Sequence, residues 1–375
     1  MLKVTKKVEI ETVLSGNRPS ARGGSLYLAP CLITNRQSIG DREGRLMKTA
    51  MNVEPTNSSG SAVRCGIILS AGNGSRLQEF VRQRRGDNLP KQYINFIGSR
   101  SMLEHTWDRA TTLMPAEQLF MVVAKQHLRF PEVHRQLKLK PPQSLVIQPA
   151  NRETAPGILL PLLRIYNRYP EATVAVFPSD HFVLEEDRFM RHVDDAFRVV
   201  ESDPSRLVLL GLEPHEPDPE YGYIVPGKRI ETFAPSSVRP VEMFVEKPSV
   251  ETAKKIIASG ALWNTMVMVF ACKTFLSVIQ RAAPELYRSF EPIQNALGTP
   301  DEQQVIERVY EKLPPTNFSK GVLEVLPFEH RRALTVLPVR GVTWNDWGTA
   351  DHLSSTLQQL GAPEWGLEAT FKRVG

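Results

Sequence analysis

From Val63 onward the apolar and polar positions fall into an alternating order. Short apolar runs are separated by longer stretches in which apolar residues recur every three to four positions. The runs Gly66–Ser70, Leu119–Ala124, Leu145–Ile147, Thr173–Phe177, Leu207–Gly211 and Met266–Phe270 predict strands. The stretches Met102–Leu113, Ala155–Tyr169, Phe189–Val200, Val250–Ser259 and Lys273–Ala283 predict helices. Several strand runs are apolar throughout, which suits a sheet covered on both faces. The alternation predicts one α/β domain over residues 63–355, with a mostly parallel mixed sheet, helices on both faces and right-handed crossovers. Pro217–Glu220 and Pro314–Pro315 mark loops within it.

The pattern is absent before Val63. Residues 1–62 are rich in Ser, Asn, Gly and Arg, with short apolar pieces such as Leu26–Leu32, and Pro55–Ser61 has the composition of a flexible linker. This segment is expected to be disordered or an over-extended start, since Met47 and Met51 lie just before the first strand. Residues 356–375 form a short tail.

The formal charge of +5 raises the question of nucleic acid. Residues 1–64 hold ten Lys and Arg against five acids, so the whole excess sits there and the rest of the chain is balanced. A nucleic-acid-binding domain would carry its own basic face; no nucleic-acid partner is expected. No apolar run reaches membrane-spanning length, and no apolar stretch of a signal peptide follows the early lysines. Three scattered cysteines, Cys31, Cys65 and Cys272, argue for a reducing compartment. The expectation is a cytoplasmic protein with no membrane partner, its homo-oligomerisation left open.

Chemistry gathers at the ends of the predicted strands. The first runs into Ser70-Ala71-Gly72-Asn73-Gly74-Ser75-Arg76-Leu77. Small residues there let backbone N–H groups approach a phosphate, and Arg76 adds a cation with fork geometry. Lys91, in Leu89-Pro90-Lys91-Gln92, supplies a second cation after a loop. A tight turn with surface cations would explain Gly72 and Gly74 alone; the spacing to Arg76 and Lys91 favours phosphate. The loop lacks both the Walker A ending and the third glycine of the dinucleotide fingerprint. The strand Thr173–Phe177 ends in Pro178-Ser179-Asp180-His181, which places Asp180 where α/β sheets bind ligands. A second acid, Asp346, stands in Trp344-Asn345-Asp346-Trp347-Gly348. Each aspartate taken singly is equally a turn cap. Ser179, Asp180 and His181 are no hydrolase triad, because neighbours on a strand point to opposite faces; His181 is expected to be a packing or supporting residue. Thr154, with Pro156 after it, is expected to cap the next helix.

The string GIILSAGNGSRL followed by LPKQY resembles the signature of the sugar-1-phosphate nucleotidyltransferases, and most of all their mannose-1-phosphate guanylyltransferase branch, the GDP-mannose pyrophosphorylases. The likeness covers residues 64–355 and implies a Rossmann-like, nucleotide-diphospho-sugar transferase fold. It also implies transfer of a nucleotide, GTP preferred, to a hexose 1-phosphate, mannose preferred, with release of pyrophosphate; another sugar and nucleotide pair, or a catalytically silent regulatory homologue, are the alternatives. FPSDH and WNDWG are similar to the family's two metal motifs, making Asp180 and Asp346 ligands of Mg²⁺. Ala71, Gly72, Gly74, Arg76 and Lys91 become the triphosphate side. Gln148, Asn151 and Thr154 become the base side, although Glu153 stands where the family usually has Asn. Tyr221-Gly222-Tyr223-Ile224, Glu246-Lys247-Pro248 and Trp263-Asn264-Thr265 are similar to the sugar motifs, with Gly222, Glu246 and Asn264 on the sugar and Lys247 on its phosphate. The twelve residues between Leu77 and Pro90 exceed the family's usual number and include Arg82, Arg84 and Arg85; they are expected to form a lengthened loop.

Overall fold

A computed structural model describes residues 63–228, 238–329, 333–362 and Trp365, all within the unit that begins at Ala62. The expectations for residues 1–62, and for Cys31, lie outside the described residues.

In chain order the elements are β1 (Arg64–Leu69), α1 (Ser75–Arg85), α2 (Met102–Ala110), β2 (Leu119–Ala124), α3 (Pro131–Lys138), β3 (Leu145–Gln148), α4 (Thr154–Arg168), β4 (Thr173–Pro178), β5 (Phe182–Val183) and α5 (Glu186–Ser202). They continue with β6 (Leu207–Leu212), β7 (Gly222–Pro226), β8 (Arg239–Glu246), α6 (Val250–Ala258), β9 (Leu262–Ala271), α7 (Cys272–Ala282), α8 (Pro284–Ala296), α9 (Glu302–Lys312), β10 (Leu334–Val339), β11 (Trp344–Asn345) and α10 (Ala350–Gln359).

Nine strands form one sheet in the order β3-β2-β1-β4-β9-β6-β10-β8-β7, with a further pairing of β9 to β7. The pairs β3–β2, β2–β1, β1–β4 and β6–β10 are parallel. The strand expected over Met266–Phe270 is longer, Leu262–Ala271, and runs antiparallel to both β4 and β6. With β8 also reversed against β10 and β7, the sheet is more mixed than the apolar runs suggest.

Helices cover both faces. Cys65, Ile67, Val122, Val174 and Val176 join residues of α4, α7, α8 and α9 in one buried cluster. The alternate residues of β1 face α5: Arg64 lies over the Phe197 ring and pairs with Asp194 and Glu201. The first strand is thereby clamped on one side by apolar packing and on the other by charge. Both cysteines in the described residues are free and buried. Among those residues no helix is long and apolar enough to cross a membrane.

The residues expected to form a lengthened loop are mostly helix α1. Leu77 and Val81, four apart, are its buried positions, and Gly86 ends it in a left-handed cap. Its arginines are tied down locally: Arg82 to Glu79, Arg85 to Asp87 and Glu132. The expected tail starts inside α10, which carries the chain from Ala350 to Gln359.

Register decides where the site lies. Leu69 pairs with Pro178 and with Val122, and Ala124 pairs with Gln148, so the loops leaving β1, β3 and β4 open on one edge of the sheet. The two-residue strands β5 and β11 pair antiparallel, Phe182 with Asn345 and Val183 with Trp344, which sets the loop carrying Asp180 beside the one carrying Asp346.

Candidate active site

The loop after β1 is shaped by side chains that capture its carbonyls. Gln92 Nε2 donates to Ser70 O at 2.9 Å and Gly72 O at 2.8 Å, and Tyr93 OH donates to Ser70 O at 3.0 Å. Gln78 Nε2 donates to Asn73 O, while Asn73 Oδ1 accepts from Gln126 at 2.6 Å and sits 3.2 Å from His127 Nε2. Gly74 turns the chain into α1 at φ 61, and a Cβ there would stand 3.3 Å from Lys91 Cγ. Absence of a side chain therefore serves both the turn and the passage of Lys91.

Lys91 is the centre of the arrangement. It is 5% exposed, yet its ammonium lies 3.1 Å from Asp180 Oδ2 and donates to the carbonyls of Asp346 at 2.6 Å and Trp347 at 3.1 Å. A buried ammonium is tolerated only with such partners. Asp346 is braced from several sides. Its Oδ1 accepts from the Gly348 amide at 2.8 Å and Tyr221 OH at 3.2 Å, and lies 3.4 Å from His352 Nδ1. Its Oδ2 accepts from Arg76 at 3.3 Å. Burial opposes its ionisation, but His352, Lys91 and the Gly348 amide outweigh that and hold the carboxyl well below the usual range. His352 Nε2 lies 3.0 Å from Asp218 Oδ2. Between Asp218 and Asp346, and against the cost of burial, the imidazole is raised to about 10 and is charged at neutral pH. A Cβ on Gly348 would come within 2.6 Å of Asp346 Oδ2 and 2.9 Å of the Arg76 guanidinium, so any other residue here would push this pair from its present position. His181, which packs edge-on against Trp344, is pushed down to about 4 by burial and is neutral.

At the mouth, Arg76 reaches Glu220 Oε2 at 2.6 Å, and Lys247 Nζ reaches the same oxygen at 3.1 Å. Glu246, beside Lys247, sits opposite Gly222 in the β7–β8 register; a Cβ on Gly222 would come 2.7 Å from Glu246 Oε2. Burial raises the Glu246 carboxyl. Asn264 is buried, and its Oδ1 accepts from the Met266 amide at 3.1 Å where the β6–β9 register shifts. Such bulges re-aim side chains.

Gln148, Asn151 and Thr154 form a separate group after β3. Gln148 is buried and its Oε1 has no partner among the described residues. Asn151 is exposed and accepts from the Glu153 amide at 2.9 Å. Thr154 does not cap α4 as expected. It is the helix's first residue, Glu153 holds the cap position without a side-chain bond, and the Thr154 hydroxyl accepts from the Phe318 amide instead.

Backbone strain marks the same places. Among the described residues the non-glycine positions with positive φ are Glu153 at 68°, Lys247 at 50°, Met266 at 56° and Trp347 at 44°. Each costs of order 1–3 kcal/mol and persists where the surroundings over-determine it. Two are themselves, or directly follow, a predicted site residue. Of the other two, Glu153 lies within the predicted base group and Met266 is two residues past Asn264.

Glu220, Asp218, Gln92 and His352 are absent from the sequence-based site. Asp218 and Glu220 stand inside a segment that reads as a loop, and nothing in the sequence near His352 connects it to Asp346; only folding shows these contacts. No three His, Cys, Asp or Glu side chains converge as a metal cluster among the described residues.

A strand-end loop with two cations, set against two acids from distant loops, is an arrangement for handling phosphates. The chain belongs to the nucleotidyl transferase family, whose model matches residues 65–362. It is 29% identical over 299 residues to the xanthan biosynthesis protein XanB of Xanthomonas campestris pv. campestris, covering 79% of this chain and 60% of that one. A mannose-1-phosphate guanylyltransferase of Escherichia coli is 27% identical over 299 residues, covering 79% and 61%. The chain thus spans about three fifths of the length of these relatives. The crystal structure of a mannose-1-phosphate geranyltransferase from Thermus thermophilus matches with a TM-score of 0.61 at 26% identity, over 76% of each chain.

Proposed function

We propose that this protein is a sugar-1-phosphate nucleotidyltransferase of the cytoplasm that joins GTP and mannose 1-phosphate into GDP-mannose. The observation that carries the reading is Lys91, a buried cation that ties Asp180 to Asp346 while Arg76 contacts the same Asp346. In the reaction an oxygen of the sugar phosphate bonds to the α-phosphorus of the triphosphate, the bond from that phosphorus to the bridging oxygen breaks, and pyrophosphate leaves with the electron pair. The attacking oxygen is already anionic, so no general base is needed. Positioning and charge neutralisation carry the rate. Arg76 and Lys91 would hold the triphosphate and the leaving group, and Lys247 the sugar phosphate. Glu246 and Asn264 would orient sugar hydroxyls, with Gly222 giving room. Gln148, whose buried acceptor is free, is the best placed of its group to read a base, because Asn151 and Thr154 already serve the backbone.

The residues fit Mg²⁺. Asp180 and Asp346 would supply hard carboxylate oxygens from two loops that Lys91 ties together through the Asp180 carboxylate and the Asp346 carbonyl, and the lack of a third protein ligand among the described residues suits an ion that keeps water and takes substrate phosphates. When bound, the ion would neutralise charge on the triphosphate. The choice of GTP and mannose is supported by the names of the relatives and by the resemblance of the sugar motifs. The test is pyrophosphate release from a panel of sugar 1-phosphates crossed with GTP, ATP, UTP and dTTP. GTP with mannose 1-phosphate should turn over fastest. Another best pair would reassign the substrates, and no turnover with any pair would leave a regulatory homologue.

A further inference from the structure

We propose that Glu220 is a built-in competitor for the substrates' phosphates, a carboxylate that occupies the two cations of the mouth and must be displaced before both substrates can bind. The inference rests on the roles given above to Arg76 and Lys247. One oxygen, Glu220 Oε2, accepts from Arg76 Nη1 at 2.6 Å and from Lys247 Nζ at 3.1 Å. These cations come from distant parts of the chain and are assigned to different substrates, yet one anionic oxygen sits between them. That is the relation a phosphate oxygen would have to the same pair.

Three features make Glu220 displaceable. All three side chains are about two-fifths exposed, so water can replace each contact, and exposed pairs are weak. Asp218 Oδ1 accepts from the Glu220 amide at 2.8 Å, which fixes the backbone and leaves the side chain to swing. Lys91, by contrast, has its own separate anchors and keeps its place when Glu220 moves. Glu220 therefore holds Arg76 and Lys247 extended toward the site, at the cost of affinity for both substrates. The first phosphate to take one cation leaves Glu220 with a single partner, which eases entry of the second.

Two variants and two readouts test this. Glu220→Gln keeps size and accepting oxygen but removes charge; Glu220→Ala removes both. Calorimetric titration with inorganic pyrophosphate, which needs no turnover, should show both variants binding about three- to tenfold more tightly than the wild type, as expected for loss of two exposed pairs. In the release assay, KM for triphosphate and for sugar phosphate should fall by a similar factor. If Glu220 instead braces the fold, Glu220→Gln behaves as wild type and Glu220→Ala binds more weakly; that result overturns the proposal. Tighter pyrophosphate binding without turnover in any form would sustain the competitor role and sink the enzyme reading. Turnover with unaltered affinities would do the reverse.

Discussion

Lys91 and Arg76 carry the same charge and touch the same aspartate, but they belong to different regions. Lys91 is in a buried brace, its side chain 6% exposed, with three oxygen partners supplied by two loops. Arg76 stands 42% exposed in an open mouth that it shares with Lys247 and Glu220. In the brace each charge is expensive to bury and is matched before substrate arrives. In the mouth the contacts are individually weak and exchangeable with water. One region can fix geometry; the other can trade partners. The proposed reaction, which binds two phosphate-bearing substrates and releases pyrophosphate, would draw on both.

The largest test of this contrast is Lys91→Ala. It leaves a third-exposed Asp180 and the carbonyls of Asp346 and Trp347 without their ammonium partner, so turnover should fall by roughly 10³-fold or more, and stability by about 1–3 kcal/mol. Asp180→Ala should also abolish turnover; unchanged rates there would reject the metal assignment. The counterpart is Arg76→Gln or Lys247→Ala, expected to cost about a hundredfold in kcat/KM while moving the urea midpoint little, because exposed pairs contribute at most about 1 kcal/mol. Should either mouth variant unfold as readily as Lys91→Ala, the two regions are not distinct.

A smaller effect concerns pH. Burial pushes His127 down to about 4 while it faces Asn73 of the phosphate loop. A folded value below the unfolded one means that the stability is present above about pH 6.5 and is lost as the pH falls toward 4. The loss should reach roughly 2 kcal/mol by pH 5, and His127→Gln should remove that slope from a series of denaturant midpoints. Smallest is Glu153→Gly. At φ 68 and ψ −174 the residue occupies a region that suits glycine, so the variant should gain about 1 kcal/mol in denaturant unfolding. A loss would show that the Asn317 contact to the Glu153 carboxylate outweighs the strain.

Much of the sheet is legible because buried parallel strands are written as apolar runs. Leu119–Ala124 matches its predicted run to the residue, and β1, β3, β4 and β6 match theirs to within two positions at each end. The far edge is not legible. β7 begins at Gly222 and ends at Pro226, and β10 contains Pro338, so local composition argues against strands that tertiary pairing supplies. Helix α1 reads as a loop because its arginines mask an apolar stripe of two residues. In the site, residues inside short motifs are visible from their spacing. Glu220 and His352 are not, since their meaning is a distance to an atom far along the chain.

The pairing of β5 with β11 has a consequence in time. Asp180 lies mid-chain, whereas its counterpart Asp346 stands close to α10, the last helix described. During synthesis the first strands, the phosphate loop and Lys91 emerge long before the segment that completes them, and a domain generally folds as a unit. The contacts of Lys91 with the carbonyls of Asp346 and Trp347 cannot form until that segment has been made. The proposed site therefore cannot be complete in a chain that stops short of β11.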